Sequence, residues 1–283
     1  MRLWNPRADV FVPDGEELNA ALARTTDLCV GAHQDDIEIM AYHGIARCFG
    51  RQDRWFTGVV ASDGAGSPRA GVYGKFTDDE MQRVRLKEQR LAAAIGGYAC
   101  QVQLGYSTTQ IKDSNLSSPA EDLLTVFQAA KPQTVYLHNL ADKHDTHLAV
   151  SLLALAALRR LSPPDRPKKV YGCEVWRDLD WLPDESKQCL PVSERPNLAA
   201  ALVSVFDSQV SGGKRYDLAT AGRRLANATY FAAHATDEET ALTFAMDLTP
   251  LLETSTPVTP YVTGFIDRFK SDVESRLARL ARE

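Results

Sequence analysis

The feature that most constrains this chain is a repeated alternation of short, nearly continuous apolar runs with longer stretches of helical character. "DLCVGA" (Asp27–Ala32), "WFTGVVAS" (Trp55–Ser62), "CQVQLG", "TVYLHN" (Thr134–Asn139) and "KKVYGCEVW" (Lys168–Trp176) read as five strands. Strands apolar on both faces need cover on both faces, which a parallel sheet with helical crossovers provides. The intervening segments fit that role. "IEIMAYHGIARCF" reads as one helix after the first strand, and "SPAEDLLTVFQAA" and "THLAVSLLALAALRRL" follow the third and fourth. The segment from Thr77 has an N-capping threonine, acidic residues in its first turn and a terminal Gly-Gly, the expected start and stop signals of a helix. The predicted fold is α/β: a Rossmann-like, doubly wound, mostly parallel sheet with helices on both faces, plus a C-terminal helical extension.

In such sheets ligands bind beyond the carboxyl ends of the strands, where strand order reverses. The first strand runs directly into "GAHQDDIEIM", which crowds His33, Asp35, Asp36 and Glu38 into six positions. A helix N-terminus tolerates negative charge, and a divalent cation favours it far more. A histidine and a carboxylate three residues apart can reach one ion across a strand-to-helix turn, leaving the aspartate between them free to face water. A catalytic zinc site keeps one position open and so needs one further protein ligand here. "LHNLADKHDTHLAV", after the fourth strand, offers His138, Asp142, His144, Asp145 and His147. His147, in the first turn of an apolar helix, completes a His–Asp–His set. His144 then faces the reacting centre, with Asp142 or Asp145 holding its imidazole, while His138 is either a ligand or a support behind them. His43 and His234 read as structural.

Composition excludes other classes of function. A formal charge of −5 gives no basic surface for nucleic acid or anionic lipid, so the expected partner is a small molecule. Five cysteines without CxxC spacing argue against a disulfide framework and fit a reducing cytosol. With no secretory or transmembrane-length apolar run, the expected location is cytoplasmic. After Trp176 the alternation loosens into helical segments at roughly 196–210 and 215–234. The tail from Tyr261 to Glu283 spaces Val262, Phe265, Ile266, Phe269, Val273, Leu277 and Leu280 as an amphipathic helix, either docked on its own domain or forming a subunit contact in a homo-oligomer. Residues 1–252 are expected to form the α/β domain and 253–283 a helical extension.

The two motifs together resemble the LmbE-like or PIG-L-like zinc-dependent de-N-acetylases, related to N-acetylglucosaminyl-phosphatidylinositol deacetylase. The family signature A-H-P-D-D-x-E is matched by Ala32-His33-Gln34-Asp35-Asp36-Ile37-Glu38, and its later H-x-x-H by His144-Asp145-Thr146-His147. "VVASDGAG", the R-x-x-E of Arg85 to Glu88, "YGCEVW" and "FDSQ" are weaker echoes, and the resemblance spans roughly Asp27 to Leu252. It implies zinc, with Fe2+ as the alternative, held by His33, Asp36 and His147. It implies Asp35 as general base, His144 stabilising the oxyanion or protonating the leaving amine, and Arg85 touching the sugar. Glu38, Asp142 and Asp145 stand behind these groups. The implied reaction removes an N-acetyl group from an amino sugar or glycoconjugate and releases acetate. Gln34 replaces the usual proline and Thr146 the usual aspartate, while Met40–His43 fill a stretch often rich in glycine, which predicts a bulkier pocket wall. Hydrolysis of a different amide or an ester, and a non-catalytic sugar-binding module, are the competing readings.

Overall fold

The computed structural model describes residues 1–281. Eight strands form one sheet: β1 (Asp9–Phe11), β2 (Asp27–Gly31), β3 (Phe56–Ser62), β4 (Cys100–Tyr106), β5 (Thr134–His138), β6 (Lys169–Cys173), β7 (Lys187–Pro191) and β8 (Leu242–Asp247). Their order across the sheet is β1-β4-β3-β2-β5-β6-β8-β7. The five strands read from the sequence are the parallel centre of this sheet, and β2, β3 and β5 are buried along their whole length. β1, β7 and β8 join antiparallel at the two margins and were not anticipated. β1 and β7 are short, only partly buried edge strands, and β7 ends in proline. Such strands lack the continuous apolar run that betrays a central one.

Two apolar cores lie on opposite faces of the sheet. Helices Leu18–Ala23, Ser118–Ala130 and Asp145–Arg159 contribute to the first, which contains Leu22, Phe127 and Leu158. Helices Asp36–Met40, Tyr42–Cys48, Asp78–Ile95 and Pro196–Ser204 contribute to the second, with Ile37, Ile45, Ala92 and Leu202. The Asp78–Ile95 helix opens with a full capping box between Thr77 and Glu80. Two predicted helices are broken. The one after β2 is interrupted at Ala41 (φ −113°), and the segment from Pro196 stops at Ser204 before a separate turn, Asp207–Val210.

β2 and β5 are neighbours that lead into crossovers on opposite sides of the sheet, since β3 flanks β2 and β6 flanks β5. Strand order therefore reverses between them, and the two motif-bearing loops emerge side by side at the reversal. The C-terminal helix runs Val258–Leu280, and Val262 and Phe265 anchor its start in the first core. Among the described residues no helix is long and apolar enough to cross a membrane.

Candidate metal centre and active site

Gly31 ends β2 because the chain must fold back on itself there: a Cβ at this position would sit 3.1 Å from that of Asp36. The turn that follows aims two groups at one point. The backbone N–H of His33 donates to Asp36 Oδ2 (2.7 Å), locking the carboxylate against the His33 ring. From the β5 loop, His147 arrives on the first turn of its helix.

Three ligand atoms then form a nearly equilateral triangle. His33 Nδ1 lies 3.3 Å from Asp36 Oδ2, His147 Nε2 lies 3.4 Å from the same oxygen, and the two nitrogens are 3.2 Å apart. A tetrahedral ion with ligand bonds near 2.0–2.1 Å needs edges of about 3.3 Å. The donor chemistry agrees with this spacing. His147 Nδ1 is engaged by Asp142 Oδ2 at 3.1 Å, which keeps the proton on Nδ1 and turns the Nε2 lone pair towards the triangle. Burial pushes the His147 imidazole down to about 4, so it stays neutral and able to coordinate. Burial alone would raise the Asp36 carboxyl, but His147, His138 and His33 around it hold it well below the usual carboxylate range. Three electron-pair donors converge with too few protons among them, an arrangement that a divalent cation satisfies.

A second group, His138, Asp142 and His147, also brings its ligand atoms together. It is closed: Asp142 and His147 are already bonded, and His138 Nε2 accepts the Ala32 N–H at 2.9 Å. His138, fully buried and stacked on His147 with ring centroids 3.8 Å apart, braces that ring.

Asp35 sits beside the triangle in a left-handed backbone conformation (φ 88°) that a non-glycine residue adopts at a cost of about 1–3 kcal/mol. Its N–H donates to Gln89 Oε1 (3.2 Å), and its Oδ2 accepts from Arg85 Nη2 at 2.8 Å. Burial, with Asp36 nearby and against the pull of Arg85, raises Asp35 to about 6. Arg85 is itself buried. It also bonds the Gln34 carbonyl and Glu88 Oε2 (3.0 Å), and Glu88 in turn accepts from the Ser208 N–H and hydroxyl at 2.7 and 2.8 Å. Gly64, at φ 76°, lets its loop pass over this arginine, because a Cβ there would come within 2.9 Å of Arg85 Cβ. Arg85, expected to touch the sugar, holds Asp35 with its guanidinium and also lines the cavity over the cluster. The R-x-x-E and "FDSQ" echoes meet in one buried scaffold behind Asp35, through Arg85, Glu88 and Ser208.

Further corrections concern the carboxylates and the pocket wall. Asp142 orients His147, not His144, and also accepts backbone N–H groups of Lys143, Trp176 and Arg177. Asp145 is exposed at the start of its helix and holds neither histidine. His144 is half-buried with its Nδ1 unpartnered, and burial followed by the neighbouring His33 lowers its pKa. Glu38 lies behind the cluster, receiving Tyr98 Oη and Gln89 Nε2 at 2.8 Å each; burial raises it to about 8, so it is protonated at neutral pH. Met40, Ala41 and Tyr42 are fully buried in the second core and wall nothing. The wall comes from residues that the sequence motifs gave no individual role. A cavity of about 390 Å³ opens over His33, Asp35, Asp36 and His144 and is flanked by Asp63, Trp176, Gln209, Lys214 and Tyr216. A smaller, more enclosed cavity of about 150 Å³ adjoins it and shares Asp35, Asp36, Trp176 and Tyr216. Trp176 stacks with His144 and carries Lys214 Nζ 5.1 Å above its ring.

The family model described as PIG-L, GlcNAc-PI de-N-acetylase, matches residues 28–158, the stretch from β2 to the end of the His147 helix. Both motif loops lie inside it, together with Asp63 of the cavity rim, while Trp176, Gln209, Lys214 and Tyr216 lie outside, so both parts of the chain build the wall over the cluster. No curated protein matches. Several solved structures share the fold. The 4-carboxy-2-hydroxymuconate hydratase GalB from Pseudomonas putida KT2440 is 18% identical, with TM-score 0.63, over 83% of this chain and 100% of that one. The N,N'-diacetylchitobiose deacetylase from Pyrococcus horikoshii is 15% identical, TM-score 0.61, over 88% and 93%. The A40926 pseudoaglycone deacetylase Dbv21 is 16% identical, TM-score 0.56, over 79% and 97%. At these identities the likeness is one of architecture.

Proposed function

We propose that this protein is a zinc-dependent hydrolase that removes the N-acetyl group of an amino sugar or glycoconjugate and releases acetate. The observation that carries the reading is the His33–Asp36–His147 triangle with Asp35 beside it. It pairs a three-ligand site with one vertex open and a carboxylate whose pKa, about 6, suits proton transfer near neutral pH. Two imidazoles and one carboxylate favour zinc, with Fe2+ next, over the all-oxygen surroundings of magnesium. A divalent ion bound there supplies Lewis acidity, which makes water a nucleophile near pH 7 and polarises the amide carbonyl.

The protein's own groups divide the remaining work. Asp35 accepts the proton of the attacking water on Oδ1, because Oδ2 is engaged by Arg85. Its strained backbone and the Arg85–Glu88–Ser208 scaffold hold it in place with little need to reorganise. His144 stays neutral at working pH and donates one N–H to the oxygen that becomes negative as the tetrahedral carbon forms. Asp35, now protonated, returns the proton to the departing nitrogen. Trp176 and Tyr216 offer apolar faces, and Asp63, Gln209 and Lys214 offer polar groups, a mixture suited to a sugar ring and its hydroxyls.

The GalB likeness supports a second reading, metal-assisted addition of water to a carbon–carbon double bond, with Asp35 and His144 as the proton carriers. One experiment separates the two: metal content of the purified protein, with acetate release from a panel of N-acetylated amino sugars run beside an unsaturated hydroxy-acid panel. Stoichiometric zinc and acetate release support deacetylation. Hydration without acetate release sinks it, and a protein that takes up neither zinc nor Fe2+ sinks both.

A further inference from the structure

The first half of the Val258–Leu280 helix is anchored, by Val262 and Phe265 in the core, by Arg268 donating to Ser186 Oγ and by Phe269 edge-on to Trp181. From Ile266 onward its apolar side chains stand in the open: Ile266, Phe269, Val273, Leu277 and Leu280 are 38 to 70% exposed. Among the described residues, the ion pairs made beyond Phe269 stay within the helix, Lys270 with Glu274 and Asp272 with Arg276.

The spacing of the five is symmetric about Val273, with apolar residues four and seven positions away on either side. At about 100° per residue all five project within about 40° of a single direction, along about 21 Å of helix. A stripe of that symmetry is its own complement when a second copy lies antiparallel. Val273 then meets itself on the twofold axis, Phe269 lies level with Leu277 of the partner subunit, and Ile266 with Leu280 of the partner subunit. The flanking charges agree. Lys270 and Glu274 line one side of the stripe, Asp272 and Arg276 the other, so the antiparallel arrangement brings Lys270 beside Glu274 of the partner subunit and Asp272 beside Arg276 of the partner subunit. A parallel twofold pairing also brings opposite charges together, Lys270 beside Asp272 of the partner subunit and Glu274 beside Arg276 of the partner subunit, so the charges favour pairing and the groove decides its sense.

The body of the domain provides the matching seat. A groove of about 750 Å³ runs between this helix and the Asp145–Arg159 helix, lined by Leu148, Leu152, Trp181, Ile266 and Phe269. We propose that two copies of this chain pair through antiparallel C-terminal helices about a twofold axis at Val273, the Leu277 and Leu280 of each copy entering the groove of the other. The mixed charge flanking the stripe favours a second copy over an anionic lipid surface.

Light scattering on the full chain is expected to give twice the 31.2 kDa of one copy. Val273→Asp faces two charges across the axis and should raise the dimer dissociation constant about a hundredfold or more. Val273→Cys is expected to form a disulfide-linked dimer on mild oxidation. The parent, with its own five cysteines, and Ser271→Cys, on the opposite side of the helix, should not. Ile266→Cys combined with Leu280→Cys should cross-link between copies and Ile266→Cys alone should not, which fixes the antiparallel sense. A monomeric parent at tens of micromolar overturns the proposal, as does equal cross-linking at Ser271. Vesicle binding by a monomeric parent would assign the stripe to lipid and overturn it as well.

Discussion

Asp142 stands behind His147 and decides which nitrogen of that ring is available. Its side chain is fully buried, and both oxygens are saturated by donors: Oδ2 takes His147 Nδ1 and the Trp176 N–H, and Oδ1 takes the N–H groups of Lys143 and Arg177. Asp142→Asn preserves size and removes one acceptor. If the amide nitrogen points to His147, it opposes the ring N–H and a backbone N–H. If it points the other way, it opposes two backbone N–H groups. The first arrangement is relieved when His147 moves its proton to Nε2, which removes that nitrogen as a ligand; the second loosens the loop carrying the helix. Support of this kind for a ligand is worth about 10- to 100-fold in metal affinity, about 1.4–2.8 kcal/mol. The assay is zinc affinity by competition with a chromophoric chelator, alongside a melting curve of the metal-free protein. We expect the dissociation constant to rise by that factor while the fold persists. An Asp142→Asn variant that binds zinc within twofold of the parent would refute the orientation argument.

Asp35→Ala should retain stoichiometric zinc and lose about 10²- to 10⁴-fold in turnover, read as acetate release; undiminished activity rejects it as the base. His147→Ala should lose both metal and activity, and unchanged metal content removes it from the ligand set. Because Asp35 acts in its ionised form, kcat/KM should fall on the acid side with a midpoint at or below about 6, the bound cation shifting it further down. Glu38 is raised from 4.5 to about 8 by burial, so across that window the folded state holds a proton that the unfolded state has lost, and stability declines as pH rises. Glu38→Gln should flatten this decline in urea titrations at several pH values; an identical pH slope would show that Glu38 ionises freely in place.

The primary sequence alone carried the parallel centre of the sheet, because strands covered on both faces must be apolar throughout and the crossovers between them must be helical. It also carried the cluster of His33, Asp35 and Asp36, whose relation is local: residues across one turn need no tertiary information to come together. His147 was legible as a partner because both motifs end strands of one doubly wound sheet, but only folding sets its Nε2 3.2 Å from His33 Nδ1. Contacts across elements were decided by the fold. Asp142 lies nearer in sequence to His144 than to His147, yet the helical turn brings His147 round to it. Arg85 reads as a free cation on an amphipathic helix until the Asp78–Ile95 helix packs beneath the first motif and buries it against Asp35. Trp176 and Tyr216 stand at the ends of an expected strand and helix and Lys214 in the turn before that helix, where spacing gives no hint of a shared role, and they become a wall only when the chain beyond β6 folds back over the carboxyl ends of β2 and β5. Spacing along a chain specifies groups held by one turn or one helix, whereas groups from distant segments meet only where burial of the two cores brings those segments together.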